Sequence, residues 1–146
     1  GSRCGLCVMH MHGDPQTMQS TPIEQDSIQR VKDFFQDVAL RFEQFGIDSR
    51  RWVIDPGIGF GKTASQNLSL LARQQELMEL GQAVLVGWSR KSTLGQVTGL
   101  APDQRVIPSV AAAVLAVDRG ASVVRVHDVA QTRQALQVWS SVTNLE

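Results

Sequence analysis

The chain holds 146 residues, and its 14 Lys+Arg balance 14 Asp+Glu to a formal net charge of zero. Ordinary globular usage, 42% hydrophobic and 19% charged, excludes a disordered segment, and neutrality removes the basic excess of a general nucleic-acid binder. No apolar run approaches the roughly 18–20 residues of a membrane span, and Cys4 and Cys7 alone cannot staple a secreted scaffold. The expectation is one soluble, cytoplasmic domain with no nucleic-acid or membrane partner.

In chain order, Gly1-Ser2 reads as the remnant of a removed tag. A strand that opens almost at once suggests a piece of a larger protein. Leu6–Met9, Trp52–Ile54, Ala83–Val86 and Ser122–Val126 are short, apolar runs that predict buried parallel strands. Between them the period is helical. Ile28, Val31, Phe35, Val38, Phe42 and Phe45 fall on one helix face, closed by Gly46. A second helix from about Gln66 carries Leu68, Leu71, Leu77 and Leu80 to Gly81, and a third carries Val110, Val114 and Val117 to Gly120. A short extra helix fits near Thr93–Val97. The last begins at Asp128, an N-cap with Gln131 in capping-box position.

Four strand–loop–helix units without a linker between them predict an α/β domain with a parallel sheet. An open doubly wound sheet and part of a (β/α)8 barrel both suit the pattern, since both put their chemistry at the C-terminal ends of the strands. Four units are half a barrel. Such a half leaves two bare strand edges and an uncovered inner face, so a homodimer or larger assembly is expected.

Asp55-Pro56-Gly57-Ile58-Gly59-Phe60-Gly61-Lys62 is neither a P-loop nor a dinucleotide fingerprint, because Pro56 and Lys62 stand where those motifs need Gly. It does offer a carboxylate at a strand end and glycines around one aromatic ring. Asp55 suits the paired N–H donors of a guanine-like edge, and Phe60 suits a planar heterocycle. The plainer reading is a tight turn in which Asp55 only caps backbone amides. Gly87-Trp88-Ser89-Arg90-Lys91-Ser92 has the composition of an anion site, or of a solvated basic loop. In Arg125-Val126-His127-Asp128, strand alternation puts Arg125 and His127 on one face, and a buried Arg125 calls for an anion or a neighbouring carboxylate. Cys4, Cys7, His10 and His12 superficially suggest zinc. The three-residue step between the cysteines turns them to opposite faces, and buried strand cysteines are the ordinary case.

Met9-His10-Met11-His12-Gly13-Asp14-Pro15, Asp55–Lys62, Gly87–Ser92 and Arg125–Asp128 together resemble dihydropteroate synthases in order and spacing. Gln66-Asn67-Leu68-Ser69-Leu70-Leu71 and Thr93-Leu94-Gly95-Gln96 extend the likeness over essentially the whole chain. The resemblance implies strands five to eight of a (β/α)8 TIM barrel. It also implies the family's transferase reaction in folate biosynthesis: 6-hydroxymethyl-7,8-dihydropterin diphosphate and p-aminobenzoate give 7,8-dihydropteroate and pyrophosphate. On that pattern Asp55 binds the pterin's amino-pyrimidine edge, with Met9, Phe60 and Gly87 against the ring. Lys91 reaches the pterin carbonyl and ring nitrogen. Arg125, with Val126 beside it, and His127 hold the diphosphate, while Ser89 and Arg90 face p-aminobenzoate or competing sulfonamides. Lys91, Arg125 and His127 are the expected catalytic residues.

Ile58, Trp88 and Pro108 depart from the family's common residues, and none removes a needed charge. The Mg2+ expected in the intact enzyme has its Asn ligand outside this sequence, which itself supplies no metal ligand. The pterin-contacting residues of the earlier strands are also outside it, so these residues alone are expected to be inactive. The competing expectations are a pterin-binding methyltransferase domain, against which Ser89–Ser92 argues, and a non-catalytic, self-associating half-barrel.

Overall fold

Four parallel strands lie side by side in chain order: β1 (Leu6–Met9), β2 (Trp52–Asp55), β3 (Ala83–Val86) and β4 (Ala121–Val124). The computed structural model describes residues 4–14 and 26–144. Gly1-Ser2, read as a tag remnant, and Pro15 of the first motif lie outside them. Five helices link and follow the strands: α1 (Ser27–Gln44), α2 (Ala64–Ala72), α3 (Ser92–Thr98), α4 (Val106–Asp118) and α5 (Val129–Thr143). Among the described residues no helix is long and apolar enough to cross a membrane.

A sequential strand order has no point at which the winding reverses. Right-handed crossovers then put every connecting helix on the same side of the sheet. This is the winding of a barrel wall, and it decides between the two closures left open by the sequence. The core follows from it. Trp52, Ile54, Val84, Val86 and Ala121 point outward and are buried with Ile28, Val31 and Phe35 of α1, Leu70 and Leu71 of α2, and Ala112 and Ala116 of α4. Residues of opposite parity line the concave face, where Cys7 pairs in register with Val53, Val53 with Ala83, and Leu85 with Val123. There Cys7, Ala83 and Val123 are exposed.

Several expectations are corrected. Phe45 is not on the buried face of α1 but 79% exposed, because the helix ends one residue earlier and Gly46 turns the chain at φ +66. The second helix is two pieces: α2 stops at Ala72, and Gln74–Leu80 continues as a 3₁₀ helix into Gly81. β4 ends at Val124, so Arg125 and His127 lie past the strand, and Arg125 is exposed rather than buried. The Asp128 capping box does not form. Its side chain caps no amide of α5 and pairs with Arg90 instead. Cys4 and Cys7 are exposed, not buried.

Candidate active site at the strand tips

The glycine-rich loop after β2 is built around a carboxylate. Asp55 is buried, and its Oδ1 accepts the Gly57 N–H at 2.8 Å. The chain turns there at a φ of +67°, and a Cβ on Gly57 would lie 1.9 Å from the His10 carbonyl oxygen, so no side chain fits. Burial pushes the Asp55 carboxyl above its ordinary range. The Gly57 N–H and the positive charges of Arg125, Lys91 and Lys62 pull it back.

Lys62 is the loop's internal strut. Its buried ammonium donates to the carbonyls of Gly57 and Phe60, each at 3.0 Å. Desolvation lowers its pKa to about 8, against the attraction of Asp55. Asn67 locks the same loop from α2. Its Oδ1 accepts the Gly59 N–H at 2.9 Å, and its Nδ2 donates to the Lys62 carbonyl at 3.3 Å and to Thr93 Oγ1 at 3.1 Å. Phe60 is thereby held half-exposed, with the Lys91 ammonium 4.4 Å from its ring centroid.

Lys91 arrives from the loop after β3 and lies along Gly59, where a Cβ would stand 3.4 Å from its Cδ. Burial lowers its pKa, the Arg125 charge lowers it further, and Asp55 opposes both. Arg125 continues the sheet pairing through its N–H to Val86 O at 2.8 Å. Its guanidinium crosses Gly87, whose missing Cβ would be 3.1 Å from Nη2. The carboxylate of β2, the lysine after β3 and the arginine after β4 therefore share one electrostatic neighbourhood. Met9, 36% exposed, sits in register with Asp55 on the adjoining strand.

Gly87, Ser89, Arg90, Lys91, Arg125, Val126 and His127 line a polar hollow of about 360 Å3. Ser89 Oγ accepts the His127 N–H at 3.2 Å and meets His127 Nδ1 at 2.9 Å. Arg90 is turned to Asp128 rather than left open, with Nη2–Oδ1 at 2.7 Å and Nε–Oδ2 at 3.3 Å. Its backbone takes a φ of +59. Sequence pattern alone does not reveal Asn67, Lys62 as a strut, Thr93, Ser109, which accepts the Arg90 N–H, or Arg105, which donates to the Arg90 and Lys91 carbonyls. A polar residue on the inward face of α2, four residues after Thr63, was the available signal for Asn67.

A hollow lined by three cations, with the buried Asp55 carboxylate near enough to act on Lys91, suits a flat, hydrogen-bonding ring that carries anionic oxygens. Among the described residues no group of three or more His, Cys, Asp or Glu side chains could hold a metal ion. With no such cluster and with Asp128 paired to Arg90, these residues form no site that would hold Mg2+ by themselves.

Comparison with known proteins gives the same direction. The family described as pterin binding enzyme matches residues 1–127. The dihydropteroate synthase of Escherichia coli K12 is 44% identical over 133 residues, which are 91% of this chain and 47% of that protein. A Yersinia pestis dihydropteroate synthase solved as a sulfonamide drug complex superposes with a TM-score of 0.92 at 41% identity, covering 96% of this chain and 51% of the other. The Xanthomonas albilineans enzyme in complex with 7,8-dihydropteroate gives 0.88 at 45% identity, covering 97% and 52%. The chain thus spans about half the length of the relatives it matches, and its four-stranded sheet is half of their (β/α)8 barrel.

Proposed function

This chain belongs to the pterin-binding enzyme family, and from that premise we propose that it forms the second half of a dihydropteroate synthase. The completed barrel condenses 6-hydroxymethyl-7,8-dihydropterin diphosphate with p-aminobenzoate, releasing pyrophosphate. The observation that carries the reading is the meeting of three strand-tip loops: buried Asp55 bonded to Gly57, Lys91 lying along Gly59 of the same loop, and Arg125 crossing Gly87.

The chemistry follows from charge. Asp55 accepts hydrogen bonds from the pterin's amino group and ring N–H, and its negative charge lies close to the ring that becomes electron-poor. Met9, Phe60 and Gly87 bound the ring, and Lys91 donates to its carbonyl and ring nitrogen. As the methylene C–O bond breaks, the electron pair leaves with pyrophosphate, and Arg125 and His127 stabilise the charge building there. The aniline nitrogen of p-aminobenzoate, held near Ser89 and Arg90, gives its lone pair to the methylene carbon and loses a proton to solvent. Sulfonamides would compete at the same place. The intact enzyme is read as cytoplasmic and Mg2+-dependent, with the metal's ligand outside this chain.

Association is part of the reading. Ile107 of α4, 81% exposed, lines an apolar groove with Val110 and Leu115 of the same helix and Ala135 of α5, a surface that supports a homodimer.

The test joins the first barrel half of the E. coli relative to this chain and measures transfer of radiolabelled p-aminobenzoate into dihydropteroate. The joined protein should turn over and the 146-residue chain should not. Turnover by the chain alone, abolished by Lys91→Ala, would overturn the half-site reading. A folded joined protein that binds methyltetrahydrofolate and ignores pterin diphosphate would favour the methyltransferase alternative.

A further inference from the structure

We propose that Arg105 is a positioning residue for the Ser89–Lys91 loop, clamping the carbonyls of Arg90 and Lys91, and that Gly95 lacks a side chain to admit it. Arg105 immediately precedes α4. Its Nη1 donates to Arg90 O at 3.1 Å and to Lys91 O at 3.3 Å, while Nε donates to Leu100 O at 2.8 Å. The planar guanidinium presents donors along several edges at once, which a lysine's point charge cannot do.

The other side of the Arg90 peptide is held from the same place. The Arg90 N–H donates to Ser109 Oγ at 2.9 Å, and Ser109 Oγ in turn donates to the Arg105 carbonyl. Two residues one helical turn apart therefore grip both polar groups of Arg90. That grip answers a need, because φ +59 is unfavourable for an L residue with a side chain and persists only where the surroundings over-determine it.

Gly95 is the second, independent observation. It stands inside α3, where glycine weakens a helix. A Cβ there would lie 2.1 Å from Arg105 Nη2 and 2.4 Å from Cζ. The helix accepts a poor residue so that the guanidinium can pass over it to the loop. Lys91, at whose carbonyl the clamp ends, carries its ammonium over Phe60.

The functional meaning rests on the proposed reaction, but the clamp can be tested on the ligand-free 146-residue chain, so failure of either is read separately. Amide exchange by NMR and titration of ¹³C-labelled lysines are the readouts; the chain has only Lys32, Lys62 and Lys91. Arg105→Met should raise exchange at Arg90 and Lys91 at least about tenfold by local opening, with β1–β3 still protected, and move the Lys91 titration toward that of an ordinary lysine. Arg105→Lys should not restore either signal. Gly95→Ala should cause the same local loosening with Arg105 intact, and become harmless in the Arg105→Met background. Unchanged exchange and titration in a folded Arg105→Met chain overturns the proposal. So does a Gly95→Ala chain that gains stability as helix-interior glycines usually do; this variant decides the matter if Arg105→Met does not fold.

Discussion

Arg90 and Asp128 face each other across the mouth of the hollow, joined at 2.7 and 3.3 Å, although Asp128 stands at the N-terminus of α5 where its carboxylate would ordinarily cap the helix. The Arg90 charge holds the Asp128 carboxyl below its ordinary range. The pair's contribution is therefore complete above the unfolded carboxylate range and is lost as pH falls through the depressed folded value. An Arg90 Nε–H signal protected from solvent should survive at pH 4 in the parent chain and be absent from Asp128→Asn. Global stability should change little, because water screens a partly exposed pair.

Lys91 should set the alkaline limit of turnover in the joined barrel. Burial and Arg125 hold its ammonium below the usual lysine range, so kcat/KM should decline at a lower pH than for an unperturbed lysine. Lys91→Arg, which never deprotonates, should remove that limb. Lys91→Met should lower kcat/KM about a hundredfold or more. A limb that persists in Lys91→Arg would assign it to Lys62, whose pKa burial lowers to about 8.

His10 predicts acid sensitivity of the fold itself. Its ring is buried, Nδ1 has no hydrogen-bond partner among the described residues, and desolvation with the Lys62, Arg30 and His12 charges lowers its pKa from 6.5 to about 3. Between those values the unfolded chain takes up the proton and the folded chain resists it. Stability therefore falls with pH below 6.5, by about 2 kcal/mol at pH 5. Urea denaturation at pH 7.5 and pH 5 should show this loss, and His10→Leu should flatten the difference between the two.

Two glycines of one loop should behave differently on substitution by alanine. At Gly57 the new Cβ meets backbone, 1.9 Å from His10 O, so Gly57→Ala should cost at least about 3 kcal/mol or prevent folding. At Gly59 it meets the flexible Lys91 side chain at 3.4 Å. Gly59→Ala should cost only the roughly 1–2 kcal/mol of a left-handed residue, measured by chemical denaturation.

Ile107→Glu should convert a dimer into a monomer in sedimentation velocity without changing the melting temperature by more than a few degrees. A parent chain that sediments as a compact monomer at micromolar concentration would remove the homodimer from the reading.

The strands, the three helix-ending glycines and the order of the motifs were legible because each is local. A Val-rich run, a helical period and a glycine at left-handed φ carry their own signal, as Gly46, Gly81 and Gly120 do. What could not be read depends on residues far apart in sequence. Asp128 has the spacing of a capping box with Gln131, yet a stronger partner 38 residues away takes its carboxylate. Arg105 resembles any solvated arginine until the fold brings α3 beneath it. Arg125 was expected inside a strand and stands beyond one, since strand ends are set by the neighbour's length and not by the run of apolar letters. The uncovered inner face follows from four units being half a barrel, and Ala83 and Val123 are open there; Cys7 is open for the same reason, against the habit of strand cysteines.

On the proposed reading, Asp55 would also govern how a guest is told from a near-relative. With one oxygen bonded to the Gly57 amide, the carboxyl group cannot rotate freely, and the directions in which it receives donors are chosen before anything arrives. A ring isomer with the same charge and size but its two N–H vectors rotated by a few tens of degrees would gain little from it. Discrimination between such isomers would then reside in a torsion angle that the protein's own Gly57 amide sets, where no change of salt or overall charge can reach it.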